Sequence, residues 1–192
     1  MQRRLSFLLI LMAGLCACSP SAPAVPESDT PDEILFEVEP PVRPPTLPEA
    51  VVETRQQLLD IAERNSIRRL ARKADEEPVF LSNLGGDDHY RHWDLMRRTG
   101  FDPNTQLIEL LNEPYGIRLV GSETWYIWPD LAARPAGALA PERLSFHDAA
   151  RLKELVGEQG LAQIEAGQSY PGVRTAISES GAWRYFLHET PS

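Results

Sequence analysis

The chain reads as an α+β domain, with four or five helices packed on a small antiparallel sheet made of two β-hairpins. Three observations carry that reading. Apolar residues recur at helical spacing in several blocks between residues 47 and 165. Two pairs of short apolar runs flank glycine-containing turns at Gly121-Ser122 and Ser178 to Gly181. No block repeats at a solenoid period, so helices and hairpins must share one core.

Thr46-Leu47-Pro48-Glu49 has the capping-box form, with Thr46 at the N-cap, Glu49 at N3 and Pro48 in the first turn. Val52, Leu59, Ala62, Leu70 and Ala74 follow at helical spacing, with Val51, Leu58, Ile67 and Ala71 beside them. Charges from Glu53 to Lys73 fill the other face. One long helix is expected here, ending near Glu77 because Pro78 follows. Val79-Phe80-Leu81 is a short apolar run, and Ser82 to Gly86 breaks the chain.

Asp87 and Asp88 supply acids to the start of a second helix, His89 to Thr99, closed by Gly100. Its apolar face is Trp93 and Met96, with Tyr90 or His89 one turn earlier. Asp102-Pro103 is an N-cap and N1 pair for a third helix, which carries Leu107, Ile108, Leu110 and Leu111 and stops before Pro114. Residues 117–120 and 124–128 form the first hairpin, ended by Pro129. Residues 132–141 are an Ala/Pro/Gly connection. Ser145 to Asp148 opens a fourth helix through Leu152, Leu155 and Val156, stopped by Gly157. A short helix with Leu161 and Ile164 precedes Gly167, and residues 173–177 and 183–187 form the second hairpin.

The folded part is residues 46–192; what precedes it has a different composition. Of 17 prolines in 192 residues, nine lie between Pro20 and Pro48, where six acids face one base, Arg43. Residues 18–45 therefore read as a proline-rich, acidic, semi-rigid tether that cannot bury enough apolar surface to fold alone. At about 3.1 Å per residue it spans several tens of ångströms. Ile34 to Val38 is an apolar island in it, able to add as an edge strand or lie in a groove.

The chain begins with Arg3 and Arg4, then an apolar run from Leu5 to Met12 broken only by Ser6. That run is shorter than the ~20 apolar residues of a membrane span and has the form of a signal peptide. Leu15-Cys16-Ala17-Cys18 resembles the lipobox of bacterial lipoproteins, with Leu15 at −3, Ala17 at −1 and Cys18 at +1. The resemblance implies cleavage after residue 17 and acylation of Cys18, whose several chains give stable membrane anchoring. Ser19 in place of an Asp resembles the outer-membrane destination, with the domain on the periplasmic face.

Composition bounds the function. With 42 % apolar residues and only two cysteines, the chain is not disordered, collagen-like or a disulfide scaffold. Its 28 acids outnumber 19 bases, net −9, and loss of residues 1–17 leaves 17 bases and −11. Nucleic acid is excluded as a partner on that balance. With Cys18 acylated, no thiolate nucleophile, disulfide or cysteine metal site remains.

Two constellations stand out. Residues 87–94 place Asp88 and His92 at i, i+4 and His89 and His92 at i, i+3, after a Gly85-Gly86 pair. That spacing can hold a divalent ion, although it lacks the His-Glu-x-x-His form, and the favoured reading is a charged helix start with N-cap acids and solvated histidines. No metal or cofactor is therefore assigned. Trp125, Tyr126 and Trp128 are the second group, either an aromatic platform for a sugar or peptide or an ordinary sheet core. Period-2 alternation puts Tyr126 and Trp128 on one face and Trp125 on the other. Gly-x-Ser-x-Gly, Gly-x-Gly-x-x-Gly and P-loop motifs are absent. The expectation is a lipid-anchored envelope protein whose domain binds or scaffolds, with an envelope-protein or cell-wall partner. The alternative is an envelope hydrolase using Asp88, His89 and His92.

Overall fold

A computed structural model describes residues 46–84 and 88–188. The signal sequence, Cys18, the tether with its Ile34 to Val38 island, and Asp87 lie outside them.

The first helices come from one apolar stripe that changes phase. Helix α1 (Glu49–Glu63) buries Val51, Leu58, Leu59 and Ala62, and α2 (Ile67–Asp75) buries Ile67, Leu70, Ala71 and Ala74. The spacing jumps by five residues from Ala62 to Ile67, which no single helix face accommodates. Asn65 takes up the turn at φ 51°, and the Ser66 side chain then accepts from Arg69 N at 3.4 Å as the new N-cap. The single long helix expected here is thus two. The capping box is corrected as well: the N-cap is Pro48, with no side-chain cap bond, so Thr46 has no such role.

Strand β1 (Leu81–Ser82) precedes α3 (His89–Arg98) and α4 (Pro103–Asn112). Asp88 caps α3 by accepting from Arg91 N, and Asp102 caps α4 by accepting from Asn104 N. Arg55 of α1 donates through Nε and Nη2 to the Leu111 carbonyl, satisfying a terminal acceptor of α4.

Strands β2 (Gly116–Val120), β3 (Glu123–Trp128), β4 (Arg174–Ser178) and β5 (Trp183–Leu187) follow. Three 3-10 turns, Asp130–Ala133, Ala136–Ala138 and Pro141–Arg143, and helix α5 (Phe146–Glu165) lie between β3 and β4. Ser145 caps α5, and Gly157, at φ 65°, breaks it where the sequence places a stop. The stretch expected as a plain connection, residues 132–141, buries Leu139 completely.

The strand order is β1-β5-β4-β3-β2. The α+β class holds, but the sheet is mixed rather than antiparallel. The two hairpins join through an antiparallel β3–β4 pair, and β1 runs parallel to β5 with Leu81 opposite Tyr185. Residues 81 and 82 are too short a run for alternation to reveal a strand, and their partner lies a hundred residues away.

Both faces of β3, β4 and β5 are covered. Tyr126, Trp128, Ile177, Trp183 and Phe186 meet α1 to α4 in one apolar cluster. Ile127, Ala176 and Tyr185 meet Leu131, Leu139, Leu152, Ile164 and Tyr170 in the other. Each large side chain so enclosed contributes about 1.5–3 kcal/mol. The central strand β4 is sealed on both sides, and its polar groups are paired accordingly. Thr175 Oγ1 donates to the Tyr185 carbonyl at 2.7 Å and accepts from Trp183 Nε1 at 2.8 Å.

Candidate functional site

On the α5 side of the sheet a cavity of about 260 Å³ opens near the β2 edge, lined by Arg118, Arg134, Ser169, Tyr170, Arg174 and Tyr185, with Ala132, Pro135 and Ala136 as its wall. Each arginine comes from a different element. Arg118 stands on β2 opposite Trp125, so alternation turns it to the face of Trp125 and Ile127. Arg134 follows the first 3-10 turn. Arg174 opens β4, and its Nη1 donates to the carbonyls of Tyr170 at 3.0 Å and Gly172 at 3.1 Å, pinning the loop before the strand.

The carboxylates behind the cavity are already engaged. Arg151 Nη2 reaches Glu113 at 2.7 Å and Asp130 at 2.9 Å, and Arg134 Nη2 reaches Asp148 at 2.9 Å. Partial burial opposes ionisation of Asp148, but the Arg134 hydrogen bond and charge prevail and hold its pKa below the usual carboxylate value. Arg151 is likewise opposed by burial and pushed up by Glu113 and Asp130. Three acids against Arg118, Arg134, Arg151 and Arg174 leave one net positive charge on a chain of −9. Among the described residues no carboxylate pairs with Arg118, which is exposed.

The phenols add to this. Burial pushes Tyr185 up to about 12, even with Arg174 and Arg118 nearby, and raises Tyr170 strongly. Both stay protonated near neutral pH, and the Tyr170 hydroxyl is sealed from solvent. A cavity walled by guanidinium groups and neutral phenol rings suits an anionic acceptor, a carboxylate or phosphate above all.

A second, shallower groove of about 340 Å³ adjoins it and shares Arg118 and Tyr185; Leu119, Val120, Trp125 and Ile127 complete its lining. Trp125 is half-buried there. Its Nε1 donates to Glu123 Oε2 at 3.0 Å, and the Arg184 guanidinium lies 5.8 Å from its ring centre. Arg184 is the extra residue of a bulge, between Trp183 opposite Ile177 and Tyr185 opposite Ala176.

Of the aromatic candidates, then, Trp125 lines the groove. Tyr126 and Trp128 are enclosed on the opposite face against Tyr115, with no surface left for a ligand. The polar candidates on α3 are given different partners. Asp88 caps the helix and lies 3.6 Å from Arg91 Nε. His89 Nδ1 lies 2.5 Å from Asp75 Oδ1, its ring against Phe80 and Trp93. His92 stands close enough to His188 to affect it: burial lowers the His188 pKa, a backbone hydrogen bond partly opposes this, and His92 adds a smaller lowering. Among the described residues no group of three or more His, Cys, Asp or Glu is placed to hold a metal ion.

The cavity arginines were not singled out in sequence. Alternation over Ile117-Arg118-Leu119 was a usable signal for Arg118, whereas nothing local ties Arg134 or Arg174 to it. Among the described residues no helix is long and apolar enough to cross a membrane. No family model, curated protein or solved structure matches the chain.

Proposed function

We propose that the protein is an envelope lipoprotein, lipid-anchored through Cys18 at the periplasmic face of the outer membrane, whose domain is a non-catalytic binding module for an anionic ligand. The observation that carries the binding role is the set of three arginines lining one cavity beside the half-open Trp125. Carboxylates are abundant on envelope proteins and on cell-wall stem peptides, and guanidinium groups hold them in two-point hydrogen bonds. The lipobox resemblance supports the anchor, and the acidic, proline-rich tether supports presentation of the domain away from the lipid.

Binding is tested by titrating the full mature chain with soluble muropeptides bearing free stem-peptide carboxylates, followed by Trp fluorescence and calorimetry. Arg118→Ala should weaken binding about tenfold or more, the range of a hydrogen bond to a charged group. Unchanged affinity overturns the site assignment. The anchor is tested separately: Cys18→Ser should yield unprocessed protein that leaves the membrane fraction, and persistence there rejects it.

A further inference from the structure

We infer that β2 is a docking edge for an extended acidic peptide, which adds as a sixth strand and presents carboxylates to Arg118 and the cavity beside it. The inference rests on the anion-binding reading and names its ligand class. β2 is an outer strand of the sheet, and among the described residues no strand pairs with its far side. It also carries three exposed aliphatic side chains, Ile117 at 41 %, Leu119 at 71 % and Val120 at 37 %. Unpaired, apolar edges invite adventitious pairing, and proteins blunt them with short strands, prolines, bulges or several charges. The opposite edge obeys this: β1 is two residues long. β2 has five residues, a regular register with β3 and a single charge, Arg118. Among the described residues the 3-10 turn at Asp130 and Ala133 closes against Gly116, whereas Ile117, Leu119 and Val120 are exposed, so residues 117–120 are the stretch proposed for pairing.

Charge selects the occupant. A second copy paired antiparallel about Arg118 would set two guanidiniums opposite each other, and like charges at that position destabilise. An acidic strand gains at the same positions. Its alternate side chains reach Arg118 on the cavity face, where Arg134 and Arg174 stand behind, while apolar ones on the other face meet Ile117 and Leu119.

The test uses the full mature chain and three capped synthetic peptides: one alternating valine and glutamate, one alternating valine and lysine, and a scrambled valine–glutamate control. Binding is read by calorimetry and backbone pairing by amide hydrogen exchange at residues 117–120. The glutamate peptide should bind about tenfold tighter than the lysine peptide and slow exchange across β2. Arg118→Glu should reverse the order, and Ile117→Asn, on the other face and outside the lining of the cavity and the groove, should weaken the glutamate peptide while leaving muropeptide binding intact. Glutamate-peptide binding with β2 exchange unchanged overturns strand addition but leaves the anion site standing. Muropeptide binding with no binding of the alternating peptides, or equal binding of the scrambled one, also overturns it. Failure of muropeptides and peptides alike removes both readings.

Discussion

Replacing Glu123 by Gln tests whether the charge at the start of β3 ties the sheet together. The Glu123 carboxylate accepts from Arg184 Nη2 at 2.5 Å, Trp125 Nε1 at 3.0 Å and Ser180 Oγ at 3.0 Å, linking β3 to β5 across β4. These contacts, Arg184 foremost, lower its pKa from 4.5 to about 2. Hydrogen bonds to a charged group contribute about 1.5–3 kcal/mol. The side chains of Glu123 and Arg184 are 25 % and 20 % exposed, so solvent screening reduces this to about 1–2 kcal/mol at pH 7. For a domain of this size that is a Tm loss of about 3–8 °C. The sign with pH is fixed by the depressed value. Above about pH 4.5 both states are ionised and the contribution is complete. As pH falls toward 2, the unfolded chain takes up the proton first and the contribution is lost. Thermal and urea unfolding of the parent and Glu123→Gln at pH 7, 5 and 3 should show a difference that shrinks by about half or more at the lowest pH. An equal difference at all three, or none at pH 7, refutes the charge argument.

Two further substitutions probe packing. Thr175→Val keeps the shape but strands the buried Trp183 indole N–H, and urea titration should show a loss of about 1–3 kcal/mol; a change within experimental error would mean that the indole finds another acceptor. Gly116→Ala sets a Cβ 2.6 Å from Ala133 Cβ and 2.9 Å from the Asp130 carbonyl, and should cost about 1–3 kcal/mol by overpacking. Ala133→Gly in the same background should recover part of that loss, and the absence of recovery would place the strain elsewhere.

What the sequence disclosed was local. Asp88, Asp102 and Ser145 announced helix starts because a cap acts within three residues, and each side chain bonds the backbone there. Gly121 and Gly181 announced hairpin turns because both adopt positive φ. The break at Asn65 was written in the five-residue step from Ala62 to Ile67, but helical propensity on both sides hid it. Pairing of Leu81 with Tyr185 had no local signal at all. The candidate site divides the same way. Alternation separated Trp125 from Tyr126 and Trp128, and the structure enclosed the latter two. Helical spacing put His89 and His92 near each other, yet Asp75, from another element, takes the His89 ring nitrogen. Arg118, Arg134 and Arg174 converge only through the sheet and the turns after it.

The strand order sets a timetable for folding. β4 and β5 occupy the middle of the sheet, yet they are the last of its strands to be made. Until residue 187 has emerged, α1 to α4 have no Trp183 or Phe186 to close their core, and β1 has no neighbour. A growing chain therefore carries its amphipathic helices with their apolar stripes uncovered through most of its synthesis. Such long-range closure favours slow, late, all-at-once folding over stepwise folding. It also gives holding factors a long window in which to keep the chain unfolded.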